Sequence, residues 1–149
     1  ITEFKGNEHG VFKAKYADVG GKIGAMQLGY NITIIPSGKK SWPFHNHHVS
    51  EEMFLILEGT GLLRHGDKKF QIRKSDIIAC PTGDRSLAHQ IINDGKTDLK
   101  YLALGTKKSY DICEYPDSDK ILSRVTSEDD SNLWNMSKGN ESYDYFLYF

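Results

Sequence analysis

The stretch Ser41–Gly61, SWPFHNHHVSEEMFLILEGTG, decides how this chain is interpreted. Three of the six histidines of the chain fall in its first eight residues, two acidic residues follow, and an apolar run then ends at glycine. Side chains alternate between the two faces of a β-strand, so His45 and His47 are expected to project to the same side. On the strand that follows, one face carries Glu52, Phe54 and Ile56.

A second histidine-bearing strand is predicted at Leu87–Asn93, where His89 and Ile91 share a face. A bend or bulge at His48-Val49-Ser50 would let a closed barrel aim four side chains at one point inside it. Burying several imidazoles with a carboxylate costs free energy unless something pairs them, and a divalent transition ion does so. The pattern therefore predicts a metal site, although His-x-His alone fits an exposed loop equally well. The candidate ligands are His45, His47, Glu52 and His89.

Most of the chain reads as short β-prone segments separated by turn residues, which predicts an all-β sandwich or barrel. Asn93-Asp94-Gly95 predicts a hairpin, because Asn and Gly tolerate positive φ. The polar segment Ile121–Gly139 is expected to be a loop with a short helical turn. The aromatic tail Tyr143–Phe149 is expected to pack on the same domain or on a partner chain. The predicted strands are Val11–Asp18, Met26–Pro36, Glu52–Gly59, Thr60–His65, Lys68–Lys74, Asp76–Pro81, Leu87–Asn93 and Thr97–Gly105.

Composition narrows the function classes. The chain has 149 residues and a net charge of -1, which suits one domain and argues against a nucleic-acid-binding protein. The lysine pairs, of which Lys107-Lys108 is the last, are interpreted as solvated turns. No apolar run reaches the length of a membrane span. Two cysteines, Cys80 and Cys113, indicate a reducing compartment and hence a cytoplasmic protein, with a single bridge between them left open.

The spacing of these residues resembles the first signature motif of the cupin superfamily, a group of small jelly-roll barrels. That motif runs Gly, five residues, His-x-His, three or four residues, Glu, six residues, Gly. Here His45, His47, Glu52 and Gly59 match it, whereas Gly38 lies one residue too far from His45.

The second cupin motif runs Gly, five residues, Pro-x-Gly, two residues, His, three residues, Asn. Pro81-Thr82-Gly83, His89 and Asn93 match it, Ser75 replaces the first glycine, and five residues (Asp84–Ala88) stand where the motif has two. The resemblance covers about residues 30–105. The stretches CPTGDRSLAHQIINDGKTDLKYLALG and YPDSDK resemble a group of small single-domain bacterial cupins without an assigned reaction.

The resemblance implies an all-β cupin jelly-roll β-barrel, the double-stranded β-helix, as a single domain over residues 1–149. The barrel core would span about residues 26–105, with the N-terminal strand and the C-terminal extension packed on it or on a partner chain. It also implies a homodimer formed through edge strands. A small-molecule ligand is expected, and neither nucleic acid nor a membrane.

The resemblance further implies that His45, His47, Glu52 and His89 hold a manganese, iron, nickel, zinc or copper ion, among which the donor set does not choose. Glu51 competes with Glu52, but the spacing to Gly59 favours Glu52. His48 is expected to face away from the site, and Arg85 to be a solvated loop residue. The candidate pocket residues, equally good as barrel core, are Phe54, Ile56 and Ile91.

Two functions follow from this expectation. The first is a metalloenzyme, such as an oxygenase, isomerase or lyase, acting on a small oxygen-bearing molecule; no residue stands out as its general base. The second is a metal-dependent protein that binds or senses a sugar derivative or an aromatic acid without turnover. A third reading makes the metal purely structural. Ligation requires neutral histidines, so ordinary imidazoles imply that metal affinity falls below about pH 6.5.

Overall fold

The computed structural model describes residues 3–127 and 131–139. Within these ranges the chain forms strands and two three-residue 3-10 turns, Gly21–Ile23 and Arg85–Leu87. No helix in this part of the chain is long and apolar enough to cross a membrane. The strands are β1 (Lys5–His9), β2 (Phe12–Asp18), β3 (Leu28–Ile35), β4 (Asn46–His47), β5 (Glu52–Glu58), β6 (Thr60–His65), β7 (Lys68–Arg73), β8 (Ile77–Cys80), β9 (His89–Ile92), β10 (Leu99–Thr106), β11 (Tyr110–Tyr115), β12 (Lys120–Val125) and β13 (Leu133–Lys138).

The strands form three antiparallel sheets with non-sequential neighbours. One sheet has the order β1-β2-β3-β10-β5-β8, the second β13-β12-β11-β4, and the third β7-β6-β9. Strand β10 lies between β3 and β5, which precede it by many residues. A single bridge between His45 and His89 joins the approach to β4 to the start of β9. The predicted all-β fold is confirmed.

The core fills the space that these sheets enclose, and strand alternation explains its composition. On β5, Phe54 and Ile56 are buried, while their neighbours Met53, Leu55 and Leu57 are only partly covered. Gly59 ends this strand at a φ of 84°, and a Cβ there would lie 2.5 Å from the carbonyl oxygen of Asp98. Only glycine fits that turn. The core cluster comprises Ile35, Phe54, Ile56, Leu63, Ile72, Ile78, Cys80, Ile91, Leu99 and Tyr101.

The hairpin expected at Asn93-Asp94-Gly95 is wrong. Strand β9 pairs with β6, whereas β10 pairs with β3 and β5, so the chain changes sheets at this point. Neither Asn93 nor Gly95 has a positive φ. Instead the Asn93 amide donates to the carbonyls of Ile35 (2.7 Å) and Thr97 (2.8 Å), and its Oδ1 accepts from the Gly95 N–H. A buried side chain holds this crossover.

The loop expected at Ile121–Gly139 is also wrong, because most of it belongs to β12 and β13. Strand β12 pairs with β11 on one side and with β13 on the other. The backbone hydrogen bonds of these two pairings stabilise the strand although its composition is polar. Its inward residue Leu122 is buried. The aromatic tail Tyr143–Phe149 lies outside the described residues. Cys80 and Cys113 are both free and buried.

Candidate metal centre

Three imidazoles converge on one carboxylate inside the barrel. The Nε2 atoms of His89, His47 and His45 lie 3.0, 3.4 and 3.8 Å from Oε2 of Glu52. His45 and His47 come from β4 and the residue before it, Glu52 opens β5 and His89 opens β9. The structure thus brings together all four side chains that the sequence indicated, whereas their role as ligands stays a prediction.

Hydrogen bonds fix the ring orientation of two of the histidines. Nδ1 of His45 donates to the Pro43 carbonyl (2.8 Å), which can only accept. Nδ1 of His47 donates to Oδ2 of Asp111 (2.7 Å). When the rings are neutral, both bonds leave the Nε2 lone pair facing Glu52, which is the tautomer that a metal ion requires.

Burial and pairing shift the pKa values of these groups in opposite directions. Burial, reinforced by the coulombic interaction with the nearby His89 ring, lowers the pKa of His45 to about 4. Burial alone would lower the pKa of His47, but hydrogen bonds with Cys113 and Glu52 outweigh it and raise that pKa to about 11. Burial likewise opposes ionisation of Glu52, yet hydrogen bonds from His47 and His89 hold its pKa far below the usual range. Without an ion, the site therefore carries an imidazolium–carboxylate pair.

This donor set fits a divalent transition ion. Imidazole nitrogens and a carboxylate are its preferred ligands, and His45, Glu52 and His89 offer ligand atoms within 4.8 Å of one another. An ion would take the place of the His47 proton as the positive charge beside Glu52. The buried charge would then remain compensated, as burial demands.

We expect metal binding at about pH 8 to release roughly one proton per ion, because His47 is protonated in the metal-free protein and must lose the Nε2 proton to bind the ion. His45 and Glu52 contribute none, since one is already neutral and the other already ionised. The affinity for the ion should therefore keep rising by about tenfold per pH unit at alkaline pH. With ordinary histidines it would level off above about pH 6.5, where they are already neutral.

Calorimetry in two buffers with different ionisation enthalpies measures that proton. A binding heat that is identical in both buffers, together with an affinity that does not change between neutral and alkaline pH, would contradict the assignment of a protonated His47.

Asp111, on β11, lies outside both sequence motifs. It is 1% exposed, its Oδ1 accepts from the N–H groups of Val49 (3.1 Å) and Ile112 (2.9 Å), and its Oδ2 holds His47. Asp111, Cys113 and His47 also come close enough to share an ion. However, Asp111 engages Nδ1 of His47, the side away from Glu52, so it orients the ring. The available signal in the sequence was an acid on the same face of the strand Tyr110–Tyr115 as Cys113.

The neighbouring candidates fall outside the cluster. Nε2 of His48 faces Oε1 of Glu114 (2.6 Å), on the other side of β4 as alternation predicts. Arg85 binds Glu114 and Asp119 across the Pro-x-Gly loop. Glu51 is exposed.

The three candidate pocket residues differ in their surroundings. Phe54 faces the ring of His89 and lines a cavity beside Glu52. Ile56 is 1% exposed within the core cluster. Ile91 borders a small void of about 10 Å³.

Two cavities that share Glu52 lead to the histidine cluster. The wider one, about 670 Å³, opens to solvent and includes His47; the narrower one, about 310 Å³, includes His45 and the aromatic rings of Tyr16 and Trp42. Asn31 lines both. The histidine cluster is therefore accessible to a small molecule from two sides.

Comparison with known proteins places these features in context. A family model described as the cupin domain matches residues 31–105, half of the chain. An uncharacterized protein of Methanocaldococcus jannaschii is 37% identical over 83 residues, which are 56% of each chain. The oxalate-binding protein of Thermotoga maritima is 33% identical over 70 residues, 47% of this chain and 54% of that protein. The chain thus spans about half the length of these two relatives.

Solved structures extend the likeness to nearly the whole chain. A predicted sugar phosphate isomerase from Acidithiobacillus ferrooxidans superposes with a TM-score of 0.84 at 26% identity, over 96% of this chain and 89% of that one. A cupin sugar phosphate isomerase from Silicibacter pomeroyi has a TM-score of 0.78 at 22% identity, over 87% and 78%. The second likeness concerns the fold alone.

Proposed function

Because this chain belongs to the cupin family, we propose that it binds one divalent transition ion through His45, His47, Glu52 and His89. The observation that carries the proposal is the approach of three Nε2 atoms to within 3.0–3.8 Å of a single carboxylate oxygen. The hydrogen bonds at Pro43 and Asp111 support it, since they direct two lone pairs to the same point. Manganese, iron, nickel, zinc and copper all accept such donors.

We further propose that the protein is a metalloenzyme that acts on a small oxygen-bearing molecule. A bound ion would supply Lewis acidity toward a substrate oxygen. The likeness to a predicted sugar phosphate isomerase over 96% of the chain favours this proposal. The protein's own contribution would be to orient the substrate: Asn31, at the junction of the two cavities, offers an amide that no described residue occupies.

A second candidate function is metal-dependent binding without turnover. Among the described residues, the only carboxylate and imidazole groups that line either cavity are Glu52, His45 and His47, all of them proposed ligands. A separate general base would therefore have to be an amine or a phenol of the lining, such as Lys107 or Tyr16. The relative from Thermotoga maritima is named for binding oxalate. A protein of this kind would hold its ligand on the ion and release it unchanged.

The test begins with elemental analysis of protein purified without a nickel column. We expect about one transition ion per chain, as four ligands in one cluster require, and almost none in His47→Ala. Iron, manganese or copper would direct the work to oxygen-uptake assays, and zinc or nickel to Lewis-acid chemistry. Absence of metal from both proteins after supplementation would overturn the proposal.

Turnover separates the two functions. The metal-loaded protein is incubated with a panel of aldose and ketose phosphates and followed by proton NMR, with Glu52→Gln as the inactive reference. Conversion that is lost in the variant indicates an enzyme. Saturable binding with unchanged ligand indicates the second function.

A further inference from the structure

The outer rim of the wider cavity is cationic. Lys107, Lys108 and Arg124 line it, and Glu52 is the only acidic residue among its described lining residues. Glu52 is already paired with the histidines and would be neutralised further by an ion. The rim therefore carries a positive charge that no described carboxylate of the cavity offsets, and such a cleft attracts anions.

The position of Arg124 follows from strand register. Arg124 lies directly opposite Asp111 in the β11–β12 ladder, and opposed residues project to the same face of a sheet. Asp111 contacts His47, so Arg124 points toward the same cavity. It forms no ion pair with any described residue, in contrast to Arg64 and Arg85, which bind aspartate or glutamate. Arg124 as a whole is half-buried, and no described residue accepts a hydrogen bond from its guanidinium.

The lysines lie on the short connection from β10 to β11, which backbone hydrogen bonds hold in place. The backbone N–H of Lys107 donates to the carbonyl of Gln27 (2.7 Å), and the backbone N–H of Thr126 donates to the carbonyl of Ser109 (2.6 Å). One ammonium proton of Lys107 reaches the carbonyl of Ala25 (3.1 Å), which leaves two others free. The hydroxyl-bearing residues of the same cavity are Ser50, Thr106, Ser109, Thr126 and Ser127.

We propose that this rim is an oxyanion subsite that binds the phosphate of a small phosphate ester, with Arg124 as its main donor. A guanidinium matches two phosphate oxygens at once, and two ammonium groups balance the remaining charge of a dianion. The other end of the ester would lie at Glu52 and the histidines. The inference rests on the proposed function for that end only, because the rim itself needs no metal.

The probes are inorganic phosphate and glycerol phosphate, with glycerol as the neutral control. Binding is measured by phosphorus NMR on chelator-treated protein and on metal-loaded protein. We expect Arg124→Gln to weaken phosphate binding by about tenfold or more in both forms, because the variant loses a hydrogen bond between two charged groups. Lys108→Gln should weaken it less. Arg73→Gln, exposed on β7 away from the cavity, is the matched control and should change nothing.

The possible results test this subsite separately from the metal site. Phosphate binding that survives chelation and is lost in Arg124→Gln supports the subsite even if no metal binds. Metal binding that is normal in Arg124→Gln, beside equal phosphate affinity in wild type and variant, would overturn the subsite and leave the metal proposal standing. Equal affinity for acetate and phosphate would also overturn the assignment to phosphate.

Discussion

Replacing Glu52 by glutamine is expected to weaken the binding of a divalent transition ion by more than about 100-fold, because removal of an outer partner of a ligand already costs 10–100-fold. Glutamine keeps the size of the side chain but removes the charge on which three imidazoles converge. Competition against a chelating dye measures the affinity. Thermal unfolding with and without chelator shows whether the fold persists without the ion.

Glu51→Gln is the matched control, since Glu51 is adjacent, acidic and exposed. Its described hydrogen bonds both involve its backbone: its N–H donates to Oγ1 of Thr106, and its carbonyl accepts from the Thr106 N–H. The substitution leaves both intact. We expect metal affinity to stay within a factor of about two, as for surface changes. Equal losses in both variants would contradict the assignment of Glu52, and unfolding of the metal-free protein would indicate a structural ion.

Asp111→Asn is expected to weaken metal binding by about 10–100-fold, although Asp111 lies behind the site. Because Oδ1 accepts from two backbone N–H groups, the asparagine oxygen would remain there and its amide nitrogen would face His47. That nitrogen donates, so Nδ1 of His47 must become an acceptor, and the ring proton that remains is held on Nε2. A protonated Nε2 has no lone pair for an ion. Nitrogen-15 NMR of the imidazoles detects the tautomer directly.

Glu114→Gln serves as the control for this prediction. Glu114 also holds a histidine, His48, but that ring faces away from Glu52. Its replacement should leave metal affinity and the His47 tautomer unchanged. An Asp111→Asn variant with wild-type affinity and a proton still on Nδ1 would refute the orienting role of Asp111.

Local patterns in the sequence predicted much of this protein. Strand alternation placed Phe54 and Ile56 on the inner face of β5 and turned His48 away from the cluster, as the structure shows. The two spaced motifs indicated the cupin family and its all-β fold, and both are confirmed. These inferences succeeded because the face of a strand residue depends only on its neighbours along the chain.

Local patterns could not predict which distant segments pair with each other. Asn93-Asp94-Gly95 has the composition of a hairpin turn, yet contacts with Ile35 and Thr97 use the asparagine to cross between sheets. Likewise, the polar strands β12 and β13 are stabilised by ladders that begin at β11. Neither the crossover nor these two strands can be predicted from about ten neighbouring residues, because both depend on which strand edge is free to pair.

The sequence by itself determined the fold family and the four side chains that meet in the barrel. Tertiary structure alone decided what surrounds them: Asp111 reaches His47 across 64 positions of the chain, and Arg124 reaches the cavity because β12 lies opposite β11. The four side chains that meet could be predicted from local spacing, because each strand presents its own residues. The groups that orient those side chains, and the charges at the mouth of the cavity, come from strands that become neighbours only when the sheets close.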